Sequence, residues 1–314
     1  MTTSSTSTSL PDLRGSSQTE LTFHRLPKTI YDQRDISFLA GTLSGLTKLA
    51  VGHPFDTIKL RLQCTAPGQY AGPLDCLLQT VRQEGPRALY KGASPPAIGW
   101  AMSDGILMGS LDRYRAWLAR STGTDPKSLS IPCHGLAGAM AGWTVCTVVT
   151  PIETLKAKLQ MQTSDPRTKL YTGPIHCAQQ IFRKDGLKGF YRALPATLLF
   201  RTWFGAMFAS YPIISSSLPS SLSIGTRDFL AGGLSAEVFW IFSCPFDAVK
   251  NRMMCDSITN PKYPTWLSAA RSIWDQGRYT AFYRGFVPCA LRAFPTNAAA
   301  LFVWERSMRF MRGD

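Results

Sequence analysis

Six stretches of the chain are almost free of charge. Residues 128–152 and 202–226 contain no Asp, Glu, Lys or Arg. Residues 92–111 contain only Asp104, residues 229–246 only Glu237, and residues 286–304 only Arg292, while residues 35–55 contain Asp35 and Lys48. Each stretch is about 18–25 residues long, the length a helix needs to cross roughly 30 Å of hydrocarbon. Their apolar positions are diluted by Gly, Ala, Ser and Thr, which allow close helix contact in lipid. The pattern predicts six membrane-spanning helices with polar faces turned to a shared cavity. A soluble protein would have to bury all six helices in one chain. The start of the chain has another texture: residues 2–9 are all Ser or Thr, and Pro11, Gly15 and Pro27 follow. Residues 1–34 lack the long apolar core of a secretory signal and read either as an organelle-targeting segment or as a plain disordered tail.

A ten-residue pattern occurs three times: PFDTIKLRLQ (54–63), PIETLKAKLQ (151–160) and PFDAVKNRMM (245–254). Each reads Pro-x-acid-x-x-base-x-base, and the prolines are 97 and 94 residues apart. Thirteen and nine positions before each proline stand small residues: Gly41 and Gly45, Gly138 and Gly142, Gly232 and Ala236. That small-xxx-small spacing predicts close packing on one helix face. A second pattern follows each first one: EGPRALYKG (84–92), DGLKGFYRA (185–193) and QGRYTAFYRG (276–285). The repeating unit is therefore helix, amphipathic surface segment, helix. At about 95 residues it is too long for a solenoid repeat.

Composition adds charge to this picture. Over 314 residues, 45% hydrophobic content and a mean hydropathy of −0.04 look soluble, but only because polar motifs and apolar stretches are averaged together. The net charge of +14 calls for an anionic partner. The bases follow the repeated motifs rather than one contiguous patch, which argues against nucleic acid. Eight cysteines without a single CxxC exclude a disulfide-dense scaffold and a zinc ribbon. No phosphate loop, metal triad or nucleophile constellation appears, so no enzyme activity, catalytic residue, metal or cofactor is expected.

Both patterns at this spacing closely resemble the mitochondrial carrier family, nearest to its carnitine/acylcarnitine and ornithine/basic amino acid branch. The resemblance covers about residues 35–312. It implies an all-α membrane protein: six transmembrane helices in a barrel with three-fold pseudo-symmetry, from repeats at 35–120, 129–218 and 224–312. It further implies a monomer in the mitochondrial inner membrane, with both termini facing the intermembrane space. Helix kinks are expected at Pro54, Pro151 and Pro245, since proline removes a backbone hydrogen bond. The implied gate on the matrix side pairs Asp56 with Lys156, Glu153 with Lys250 and Asp247 with Lys59. Gln63 and Gln160 match the family's bracing glutamine, and Met254 breaks that pattern in the third copy.

The opposite gate departs from the family's aromatic-acid-x-x-base pattern. Asp112 and Arg115 are present on helix 2, only Tyr211 remains on helix 4, and Glu305 lacks a base at Met308. Only Glu305 with Arg115 survives as a possible pair, so the chain is expected to rest open to the intermembrane space. Gly85, Gly186 and Gly277, with Gly92 and Gly285 before even-numbered helices, match sites where the family binds cardiolipin. The physical basis is amides at the positive end of a helix, and Ala193 weakens the middle copy.

Ionisable residues inside membrane helices are functional-site candidates because they are costly to place there. Arg292 opens RAFPTNAA (292–299), which resembles the carnitine and ornithine branch, and a guanidinium fork suits a carboxylate. Asp104 or Glu237 could hold a cationic group opposite. Arg201 followed by Thr202 resembles the keto-acid branch instead, and Gly99 matches the contact position on helix 2. The favoured solute is a small carboxylate-bearing zwitterion, an amino acid or carnitine-like. Two alternatives stay open: a dicarboxylate or keto-acid carrier, and a degenerate carrier fold serving as receptor or scaffold.

Overall fold

A computed structural model describes residues 33–125, 128–162 and 169–312. Of the 34-residue tail, residues 1–32 lie outside this description, and Gln33 and Arg34 already belong to the first helix. The elements run α1 (Gln33–Cys64), α2 (Pro73–Glu84), a 3-10 turn (Pro86–Tyr90), α3 (Ser94–Thr122), α4 (Ile131–Met161), α5 (Pro174–Phe190), α6 (Leu194–Thr202), α7 (Phe204–Ser217), α8 (Ile224–Cys255), α9 (Trp266–Phe282) and α10 (Phe286–Arg312). Each repeat supplies an odd rod (α1, α4, α8), a short surface helix (α2, α5, α9) and an even rod (α3, α6–α7, α10).

Three of the described helices, α4, α8 and α10, are long and apolar enough to cross a membrane on composition alone. The other rods differ for identifiable reasons. At 32 and 29 residues, α1 and α3 have the length, but Gly, Ser, Thr and Pro dilute their apolar stretches. The fourth rod is broken: Trp203 sits in a turn between α6 and α7, after which the helix restarts. The break falls between Arg201 and Tyr211.

Each motif proline lies inside its odd rod, at Pro54, Pro151 and Pro245. A proline at position i frees the carbonyl at i−4, and in lipid that oxygen needs a partner. The partner is a tyrosine from the second motif. Tyr90 donates its hydroxyl to the Ala50 carbonyl at 3.1 Å, Tyr191 to Thr147 at 2.7 Å, and Tyr283 to Ile241 at 3.1 Å. Each freed carbonyl is thereby tied to the start of the following even rod.

The surface helices dock through small or apolar side chains one turn apart: Cys76 and Thr80, Cys177 and Ile181, Ala269 and Ile273 are all buried. The small-xxx-small spacing is used unequally. A Cβ at Gly142 would sit 2.6 Å from the Arg201 carbonyl, and one at Gly138 2.5 Å from Phe208, so α4 needs both glycines to approach α6 and α7. Gly45 and Gly232 have nothing within 4 Å. The tightest approach is thus in the middle repeat; a Cβ at Gly41 would reach Trp304 at 3.5 Å, an ordinary contact.

Candidate functional site

The motif ends of α1, α4 and α8 converge on a ring of charge. Lys156 Nζ lies 2.5 Å from Asp56, Lys250 Nζ 3.0 Å from Glu153, and Lys59 Nζ 2.7 Å from Asp247. The three contacts join α4 to α1, α8 to α4 and α1 to α8, closing a circle. Every acid in the circle also holds a second cation. Arg292 of α10 pairs with Asp56, Arg201 of α6 lies 2.8 Å from Glu153, and Lys250 lies 3.1 Å from Asp247. Buried charges survive only when paired and hydrogen-bonded, and here the pairing is redundant. Two lysines also sit over aromatic rings: Lys59 Nζ is 4.3 Å from the Trp240 centroid and Lys250 Nζ 4.1 Å from that of Phe200.

A layer of neutral side chains supports the ring. Gln160 donates to the Thr57 hydroxyl at 2.9 Å and lies 3.3 Å from His53 Nε2. Gln63 donates to Asp247 at 3.2 Å and accepts from Asn251 at 2.7 Å. In the third copy Met254 is 1% exposed and buried among apolar neighbours instead. The sequence reading passed over His53, Thr57 and Asn251. Their only signal was position: His53 immediately precedes Pro54, while Thr57 and Asn251 stand inside the motif at places where the three copies do not repeat the same residue.

Facing the ring is a cavity of about 300 Å³. The ring's three acids and Asp104 line it, against six bases: the ring lysines, Lys48, Arg201 and Arg292. The surplus of two positive charges suits an anionic group. Asp104 is exposed to the cavity and makes no ion pair among the described residues, whereas every other lining carboxylate is engaged. The wall between α6 and α8 is aromatic, with Phe200 and Phe239 packed edge to face at 5.3 Å.

Two contact candidates lie elsewhere. Glu237 does not line the cavity; it is half-buried on α8, and its Oε1 has no hydrogen-bond partner. Gly99 does not line it either, because that position is filled by Ile152 of α4, into which an added Cβ would collide. Fixed offsets in the repeat say which residues share a helix face, not how far that helix is rotated about its axis.

The opposite end of the bundle holds no comparable ring among the described residues. Asp112 and Glu305 are exposed, and neither pairs with Arg115 among the described residues. The Arg115 guanidinium instead stands 5.6 Å above the Phe208 ring, and its Nε has no partner. The expected Glu305–Arg115 pair is therefore not formed. Tyr211 donates to Asp228 at 3.0 Å.

The glycines of the second motif occupy bends. Gly85, Gly92, Gly186 and Gly285 have φ of 82°, 71°, 59° and 85°, while α9 bends at Gly277 and at Arg278, where φ is 52°. At Gly92 a Cβ would meet the Lys156 carbonyl at 2.8 Å, and at Gly285 the Lys59 carbonyl at 3.1 Å. These two glycines bring even rods against the odd rods that carry ring lysines. Ala193 fits the middle copy because φ there is −86°.

Comparison with known proteins gives the same three-part division. Residues 36–122, 127–222 and 225–314 each match the family described as "Mitochondrial carrier protein". The chain is 35% identical over 280 residues to mitochondrial substrate carrier family protein L of Dictyostelium discoideum, covering 87% of this chain and 95% of that protein. It is 33% identical over 286 residues to the human mitochondrial basic amino acids transporter, covering 89% and 91%. A mitochondrial carnitine/acylcarnitine carrier-like protein of Arabidopsis thaliana is 33% identical over 288 residues, covering 85% and 95%.

Proposed function

Because the chain belongs to the mitochondrial carrier family, we propose that its cavity takes a small carboxylate-bearing zwitterion, an amino acid or carnitine-like solute, across the membrane by alternating access. Family members are transporters, not enzymes, and the chain is a multi-pass solute carrier of the mitochondrial inner membrane. The choice of solute is supported above all by the charge layout of the cavity. Arg201 and Arg292 offer guanidinium forks at its floor, and Asp104 is the lining carboxylate left without an ion pair among the described residues. A carboxylate would draw the arginines from Glu153 and Asp56, and an ammonium or quaternary amine would face Asp104. The related basic amino acid and carnitine-type carriers point to the same class.

In this reading the ring of Asp56, Lys59, Glu153, Lys156, Asp247 and Lys250 is the matrix gate. Gln63 and Gln160 brace it, and Pro54, Pro151 and Pro245 let the odd rods converge there. The link to transport is direct. Arg292 and Arg201 share acids with the gate, so a solute that captures them removes the ties from α10 and α6 to two of its three acids. Binding then favours opening toward the matrix, the differential interaction that a population shift requires. Gly85, Gly92, Gly186, Gly277 and Gly285 mark the cardiolipin sites, both termini face the intermembrane space, and the carrier works as a monomer.

A net positive cavity also supports a dicarboxylate or keto acid, which would use the arginines and leave Asp104 idle. Uptake into proteoliposomes across a panel of basic amino acids, carnitines, dicarboxylates and nucleotides separates these readings. Saturable exchange of a zwitterion that fails in Asp104→Asn supports the first. Exchange restricted to dicarboxylates supports the second, and no exchange of any solute would contradict transport.

A further inference from the structure

The seam between α1 and α8 ends in two thiols. Cys64 is the last residue of α1 and Cys255 the last of α8, and their sulfur atoms lie 3.2 Å apart. They occupy the same place in their repeats, ten residues after Pro54 and Pro245; the middle repeat has Met161 there. Both are free and half-buried. Five other cysteines are buried, and Cys133 stands near the start of α4. Several contacts hold the two thiols in register. Lys59 lies 2.7 Å from Asp247, Asn251 donates to Gln63 at 2.7 Å, and Arg252 donates to the Gln63 carbonyl at 2.9 Å.

We propose that Cys64 and Cys255 form an oxidative modification site whose disulfide fastens α1 to α8 and arrests the carrier with its matrix gate closed. A disulfide needs sulfurs about 2.0 Å apart, a closing of about 1 Å that side-chain rotation supplies. Hydrogen peroxide is the oxidant. One thiolate attacks a peroxide oxygen, the O–O bond breaks, and a sulfenic acid and hydroxide form. The second thiolate attacks the sulfenic sulfur, forming the S–S bond and expelling hydroxide, which is protonated to water. In sum, two thiols and one peroxide give one disulfide and two waters. Exchange with a dithiol reverses the step. The bond would lie five residues beyond Lys59 and eight beyond Asp247, so it holds together helix ends that must part when the gate opens. This consequence rests on the alternating-access reading; formation of the cross-link does not.

The test uses the purified full-length chain in proteoliposomes with the hydrogen peroxide-treated protein mapped by mass spectrometry. The expected result is a peptide pair joined through Cys64 and Cys255, a fall in uptake of at least about tenfold, and recovery with dithiothreitol. Cys64→Ser and Cys255→Ser carriers should transport like the unaltered chain and resist peroxide. Both thiols still free under peroxide that oxidises Cys133 would overturn the site, as would Cys64→Ser being inhibited like the unaltered chain. A cross-link without effect on uptake would overturn the lock. A cross-linked chain that transports nothing even when reduced supports the site and contradicts the transport reading instead.

Discussion

The two ends of the bundle solve the same problem unequally. At the motif end, three acids meet cations from α1, α4, α6, α8 and α10, and each acid has two partners. At the other end Asp112, Arg115 and Glu305 are all present, yet no ion pair forms among them. The difference is that an ion pair inside a membrane protein offsets desolvation only when both partners are in reach. One end has a complete complement in every repeat. The other lacks acid and base on α7, at Pro212 and Ser215, and the base on α10, at Met308. The motif end therefore has a full set of ion pairs in its closed form, while the opposite end has little electrostatic gain to draw on.

The harshest way to break this contrast is Asp56→Asn. It leaves Lys156 and Arg292 without their shared carboxylate, and stranding one partner of a buried pair costs about 3–5 kcal/mol. Thermal unfolding in detergent should show a large loss of stability, and an unchanged midpoint would mean that the ring is not holding the rods together. Next is Arg292→Ala. Losing charge-assisted contacts of about 3 kcal/mol corresponds to roughly 100-fold, so uptake should be nearly abolished; near-normal rates would remove Arg292 from the solute site.

Smaller effects sharpen the comparison. Tyr191→Phe removes the 2.7 Å bond to the carbonyl freed by Pro151 and should cost about 1 kcal/mol of stability, read as a modest drop in unfolding temperature. Glu84, at the end of α2 outside the spanning rods, gives a pH signature. Burial pushes its carboxyl up, but hydrogen bonds from Arg61 and Lys91 outweigh burial and hold it at about 2, against an ordinary 4.5. A lowered folded value means that its stabilisation is complete above pH 4.5 and disappears as pH falls toward 2. The unfolding-temperature gap between the unaltered chain and Glu84→Gln should thus be constant near neutrality and narrow in acid; a gap that widens in acid would contradict the assignment. Glu305→Gln should change stability least, by less than about 0.5 kcal/mol, as for other exposed charges.

Much of this was legible because the chain writes its plan three times. Fixed offsets from Pro54, Pro151 and Pro245 mark the acids and bases, and charge-free stretches mark most of the rods. Three things were not legible, each for a physical reason. The broken rod at Trp203 lies where Phe204 and Phe208 pack on Gly138 and Gly142, a tertiary contact without a local signal. The tyrosine bonds to freed carbonyls span about 40 residues, so no helical periodicity announces them. The second partners of Asp56 and Glu153, Arg292 and Arg201, come from other rods, and only assembly brings them to the ring. Glu237 and Gly99 show the converse: residue type and repeat position suggested the cavity, and helix rotation placed both elsewhere.

The central claim is that the substrate-free carrier rests with its matrix ring closed and its cavity open to the intermembrane space. Asp104→Cys places a thiol on the exposed cavity wall. In mitoplasts and in inside-out inner-membrane vesicles, a membrane-impermeant maleimide can be offered to one face at a time without solute, and labelling at position 104 read by peptide mass spectrometry. The account predicts rapid labelling from the intermembrane-space face and little from the matrix face. Labelling mainly from the matrix face would contradict it.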